Sequence, residues 1–202
     1  MTLETHLAKG LKFSRQIILA SNSPRRVEIL KSLGIQFEQK SLNVAEETNE
    51  TKPSKMVVDV AFKKGVDVAE QNKDALIISA DTIVFRKKVY TKPKDTNDAF
   101  NMLKELNNKW HSVYTGVCLF FGGTVKKFSV RTLVKVNNLS DEDIKRYIND
   151  FNPLDKAGAY GIQDGVIVKK YIGSYQNIVG LPIEKLIKHL KKSGLEYLKG
   201  GK

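Results

Sequence analysis

Apolar residues fall along this chain in short β-branched runs and helical stripes, separated by clusters of Gly, Pro, Asn and Asp. Residues 16–21 (QIILAS) predict a strand, and Asn22, Ser23 and Pro24 follow it at once. Ser23 suits an N-cap and Pro24 the first helical position. Val27, Ile29, Leu30 and Leu33 supply a helix face that Gly34 would end. Residues 35–41 read as extended, and 43–51 as an acidic polar loop. Pro53 opens a second helical stretch, 54–71, with Met56, Val57, Val60, Ala61 and Val68 at its apolar positions. Residues 75–80 (ALIISA) read as a fully buried strand with Asp81 at its end.

The second half changes rhythm. Residues 84–90 suggest a hairpin around Arg86, Lys87 and Lys88, and 91–95 a loop. Ala99, Met102, Leu103 and Leu106 mark a helix capped by Asp95 or Thr96. Two strands, 111–121 and 125–136, flank Gly122-Gly123, a pair that favours a tight primed turn. Ser140 to Asp143 resembles a capping box opening a short helix to Asn149. Residues 151–161 read as loop, 166–172 as a strand and 182–193 as a closing helix ended by Gly194. Early alternation of strands and helices followed by a meander predicts an α/β (α+β mixed) fold with a central mixed sheet. Its 202 residues suffice for one domain with a real core. The expected division is an N-terminal extension at 1–15, a single domain at 16–194 and a tail at 195–202.

Composition narrows the class by exclusion. The lone Cys118, set among Val117, Leu119 and Phe120, reads as a buried thiol in a reducing compartment. Apolar runs at 17–20, 75–80 and 117–121 are far below the roughly 20 residues of a membrane helix. Residues 1–14 lack the continuous apolar stretch of a secretory signal. The net charge of +12 suits a polyanion such as a nucleotide. Only six of the 34 basic residues are Arg, however, and no nucleic-acid-binding motif accompanies them, so a nucleic-acid partner is not expected. His6, His111 and His189 are too scattered for zinc, so a metal, if the chain binds one, is expected to be a hard, oxygen-liganded ion.

Candidate chemistry lies at two places. A helix N-terminus binds phosphate, and this one carries Ser21, Ser23, Arg25 and Arg26 within six residues. A capped surface helix with solvated arginines would carry the same letters. There is no GxxxxGK and no GxGxxG, so neither a Walker loop nor a dinucleotide fold is supported. Asp81 follows a buried strand, where a carboxylate can hold a divalent ion, orient a water or merely cap a turn.

Six stretches together resemble the Maf-like nucleotide pyrophosphatases: 19–26 (LASNSPRR), 79–84 (SADTIV), 92–93 (KP), 111–116 (HSVYTG), 155–163 (DKAGAYGIQ) and 173–182 (GSYQNIVGLP). The resemblance implies a twisted mixed sheet flanked by helices, two lobes with the active-site cleft between them, and the fold of the inosine triphosphate pyrophosphatases. It implies hydrolysis of a nucleoside triphosphate to the monophosphate and pyrophosphate, with a divalent cation (Mg, Mn or Co), in a cytoplasmic homodimer. Carried over, the phosphate-binding residues are Ser21, Ser23, Arg25 and Arg26. The catalytic residues are Asp81, Glu46, Lys64 and Lys92, with Glu46 and Asp81 as metal ligands. Glu47 stands beside Glu46 as the alternative loop acid, and Asp81 is either general base or metal ligand. Unbroken Arg25-Arg26, Thr82 and Gln163 resemble the dTTP/UTP branch rather than the 7-methyl-GTP branch. The alternatives are the same chemistry on another nucleotide, or a non-catalytic nucleotide- or nucleic-acid-binding growth regulator.

Overall fold

β-Branched and apolar residues at 17–20 and 76–80 are buried on both faces, as strands of a parallel pair covered by helices must be. In the computed structural model, which describes residues 15–192, they form β1 (Ile17–Ala20) and the first half of β3 (Leu76–Arg86). The expected extension and tail, His6 and the Gly194 stop lie outside the described residues, except that Arg15 is included.

Seven strands make one mixed sheet in the order β2-β1-β3-β5-β6-β7, with β4 pairing β3. β2 (Glu38–Gln39) and β3 run parallel to β1. β4 (Lys88–Tyr90), β5 (Trp110–Phe121), β6 (Thr124–Val136) and β7 (Val168–Ile172) continue in antiparallel pairings. Gly122 and Gly123 both take positive φ (53° and 74°) between β5 and β6, as the primed turn demands.

The helices are α1 (Pro24–Ser32), α2 (Pro53–Gln71), α3 (Thr96–Leu106), α4 (Asp141–Phe151), α5 (Tyr175–Val179) and α6 (Ile183–Lys192). Asp95 caps α3 and the Ser140–Asp143 capping box opens α4. α2 lies across the sheet so closely that a Cβ at Gly116 of β5 would come within 2.3 Å of the Val57 carbonyl oxygen. Only glycine lets the helix approach there.

Three apolar clusters divide the interior. One joins β1, α1, α6 and the Ile78–Ala80 end of β3's first half. Another joins α3, α4 and Val84 with Val113 and Val134 of β5 and β6. A third seats α2 on the other face through Ala61, Val68, Ile77 and Phe120. Asp81 and Thr82 lie between Ala80 of the first cluster and Val84 of the second, at the seam of two lobes.

The expected strand at 75–80 is longer than its composition predicts: β3 runs 11 residues, so Asp81 is mid-strand. Its polar middle stays in the ladder because β5 pairs it through Asp81–Gly116 and Thr82–Thr115. β1 pairs β3 only as far as Ala20–Ser79, so the parallel neighbour ends two residues before Asp81. A crevice therefore opens beside Asp81 at the carboxyl end of β1. The extended reading of 35–41 shrinks to the two exposed residues of β2.

Candidate active site

The turn after β1 and the N-terminus of α1 form one wall of a cleft of about 390 Å³, within the size range of small-molecule sites. Ser23 occupies the N-cap position, but its hydroxyl makes no capping bond. Instead Ser21 Oγ accepts from the Ser23 amide at 3.3 Å and from Arg26 Nη1 at 2.8 Å.

The two arginines are not equivalent. Arg26 is only 7% exposed. Its Nε donates to the Gly180 carbonyl at 2.8 Å and its Nη2 to Thr82 Oγ1 at 3.1 Å. Burial pulls its pKa below the ordinary value, opposed by the charge of Asp81. Arg25 reaches across the cleft instead. Its two terminal nitrogens donate to the carboxylate and the main-chain carbonyl of Asp155, in the loop after α4.

On the opposite wall, Lys64 of α2 donates to Asp81 Oδ1 at 2.7 Å and to Glu46 Oε1 at 2.6 Å. Three elements thus converge on one ammonium. Burial of Glu46 favours its neutral form, but the bond to Lys64 and the charges of Lys64, Lys92 and Arg26 outweigh it and hold the carboxyl below its ordinary range. Glu46 lines the cleft; Glu47 points no side chain there and contributes only its carbonyl, to Lys63. Lys92 lines the cleft, and its ammonium makes no hydrogen bond to the described residues.

Thr82 is more committed than its sequence position suggests. Thr115 donates to the Asn177 carbonyl at 2.9 Å, so the proton in the 3.0 Å Thr82–Thr115 contact comes from Thr82. With Arg26 filling its acceptor side, the Thr82 hydroxyl is spent inside the protein. Gln163 sits in the cleft wall, exposed, with its amide unbonded among the described residues.

All ten expected site residues therefore lie around one cleft. Asp155 and Gly180 line it as well, and Thr115 and Asn177 stand behind it, Asn177 through its carbonyl to Thr115 and Thr115 through its contact with Thr82. Motifs 111–116, 155–163 and 173–182 contained them without naming a role. Among the described residues no group of three or more His, Cys, Asp or Glu could hold a metal ion. Glu46 and Asp81 each keep one carboxylate oxygen free of hydrogen bonds from the described chain. Two hard oxygens, with the remaining positions left to phosphate and water, fit an ion of the Mg²⁺ type.

The Maf-like protein family matches residues 16–193. The chain belongs to that family. Among its curated relatives, the dTTP/UTP pyrophosphatase of Thermosipho melanesiensis is 48% identical over 84% of this chain and 93% of its own length. That of Aquifex aeolicus is 43% identical over 89% and 96%. The Ham1 protein of Staphylococcus aureus matches in structure with a TM-score of 0.52 over 88% of this chain and 99% of its own, at 17% identity. This last likeness concerns the fold alone. The Maf-like motifs, scattered over 16–193 in sequence, surround the cleft: 19–26 and 155–163 face each other through Arg25 and Asp155, and 79–84 meets 173–182 through Thr82, Thr115 and Arg26.

Proposed function

We propose that this Maf-like protein hydrolyses dTTP and UTP to the nucleoside monophosphate and pyrophosphate. Curated relatives named dTTP/UTP pyrophosphatase, 48% and 47% identical, support the substrate class. The observation that carries the chemistry is the Lys64 ammonium held between Glu46 and Asp81 at the seam of the two lobes. A triphosphate brings about four negative charges, and Arg25, Lys64 and Lys92 line the cleft to meet them. A divalent cation held by the free carboxylate oxygen of Glu46, with phosphate and water completing its shell, would supply further charge neutralisation on the phosphates and leave the free oxygen of Asp81 to the proton.

Asp81 acts as general base. Its free carboxylate oxygen takes a proton from water as the water oxygen bonds to the α-phosphorus. The bond from the α-phosphorus to the bridging oxygen breaks, and that oxygen leaves with pyrophosphate. Lys64 fixes the orientation of the Asp81 carboxylate, and Lys92 and Arg25 stabilise the leaving group electrostatically. Gln163, with an unspent donor and acceptor, faces the base edge. No described helix is long and apolar enough to cross a membrane. The family resemblance further supports a cytoplasmic location and a homodimer, and sedimentation of the purified chain would check the dimer.

The test is pyrophosphate release with Mg²⁺ or Mn²⁺ from dTTP, UTP, CTP, ITP, GTP and 7-methyl-GTP. Turnover is expected to concentrate on dTTP and UTP. Asp81→Asn keeps the shape and removes the base, and should lower kcat by about 10²–10⁴-fold. Native turnover by Asp81→Asn would remove Asp81 from the mechanism.

A further inference from the structure

Gln163 sits on a short turn whose rigidity does not come from the cleft. The turn is a single 3₁₀ segment, Ile162–Asp164, entered at Gly161. Its internal hydrogen bonds are long: Asp164 N to Gly161 O at 3.4 Å and Gly165 N to Ile162 O at 3.3 Å. Left to these, the turn would be soft. One side chain from outside makes the difference.

Tyr147 of α4 is only 2% exposed and lies in the core of the second lobe, where it lines no part of the cleft. Its hydroxyl donates to Asp164 Oδ2 at 2.5 Å and accepts from the Gly161 amide at 2.9 Å. One oxygen therefore ties both ends of the turn. Burial, and then the bond to Asp164, push the phenol well above its ordinary pKa, so it remains a donor throughout the working range of pH. The Asp164 carboxylate folds back so tightly that a Cβ at Gly161 would lie 2.8 Å from Oδ2. Just before the turn, buried Tyr160 is fixed by a 2.7 Å hydrogen bond between its hydroxyl and His111 Nε2.

We propose that Tyr147 is a positioning residue for base selection, holding through Asp164 and Gly161 the turn that presents Gln163 to the nucleobase. The inference rests on the reading of the cleft as a pyrimidine triphosphate site. A primary amide pairs with a uracil or thymine edge in one orientation and with cytosine in the other. Either pairing takes both amide groups within hydrogen-bond reach of the base at once, so the placement of the backbone beneath Gln163 sets how well the uracil edge is met. Loosening the turn degrades discrimination, whereas the phosphate-binding and proton-transfer groups, on β1, α1, α2 and β3, stay in place.

The experiment compares native protein, Tyr147→Phe, Asp164→Ala and Gln163→Ala by kcat and KM on dTTP, UTP, CTP and ITP, with Tm for each. Tyr147→Phe removes only the hydroxyl and keeps the ring stacked on Phe151 at 5.1 Å. It is expected to cut the UTP preference over CTP and ITP about tenfold, mainly through KM, while kcat on dTTP changes by less than about threefold. Asp164→Ala severs the same bond from the half-buried side and should have the same effect, which decides the matter if Tyr147→Phe folds poorly. Should Gln163→Ala lose the preference while Tyr147→Phe and Asp164→Ala keep it, the clamp is wrong and the pyrimidine reading stands. A native protein with no preference for UTP over CTP would overturn both.

Discussion

At the residue scale, the adjacent arginines show how far one sequence letter underdetermines a role. Arg25 and Arg26 read alike as a phosphate-binding pair. Yet Arg26 spends three N–H groups on Ser21, Thr82 and the Gly180 carbonyl, and Arg25 spends its two terminal nitrogens on Asp155. Arg25 can exchange an exposed carboxylate for a phosphate at little structural cost. Removing Arg26 takes a donor from buried Ser21 and Gly180 and from half-buried Thr82. We therefore expect Arg25→Ala to raise KM for the triphosphate with Tm nearly unchanged. Arg26→Ala should lower unfolding free energy by about 2–4 kcal/mol and also reduce turnover. Urea denaturation alongside steady-state kinetics separates the two, and equal stability losses would contradict the division of labour. The burial of Arg26 was not legible in sequence, because nothing local marks an arginine whose partner is a carbonyl 154 residues away.

At the level of elements, legibility followed the strength of local chemistry. β1 and α1 are written in an apolar run followed by Asn-Ser-Pro, and the β5–β6 turn in two glycines with positive φ. Asp81 misled because an acid after an apolar run reads as a strand end; its place in β3 is set by pairing with β5, a tertiary fact. α5 is five residues long and shows no apolar period to read. It exists because Ser174 Oγ accepts from the Asn177 amide at one end and Gly180 takes a left-handed conformation at the other. Its central residue, Asn177, is fully buried and donates to the Val113 carbonyl at 3.1 Å and to Thr132 Oγ1 at 3.0 Å. The same helix delivers the Asn177 carbonyl to Thr115, and the Gly180 carbonyl to Arg26 follows directly. Asn177→Ala should thus cost about 2–3 kcal/mol and lower kcat/KM, although Asn177 is not among the cleft-lining residues. A variant with native kcat/KM would show that α5 does not brace the arginine.

For the whole molecule, the cleft lies where separately packed apolar clusters meet, so the stability of the second lobe bears on the site through its buried polar groups. His111 is the clearest case. It is 3% exposed on β5, and burial, with a smaller contribution from the charge of Arg86, lowers its pKa from 6.5 to about 4. The folded protein therefore keeps the imidazole neutral where the unfolded chain would protonate it. Stability is complete above the unfolded value of 6.5 and falls as pH drops toward 4, because unfolding takes up a proton that the fold refuses. Between pH 7.5 and pH 5 the loss should reach about 2 kcal/mol, before the carboxylates protonate appreciably. Measured by urea midpoints, His111→Phe should start less stable at pH 7.5, having lost the bond to Tyr160, yet show little further loss at pH 5. An equal pH-dependent loss in His111→Phe and the native chain would place the titrating group elsewhere.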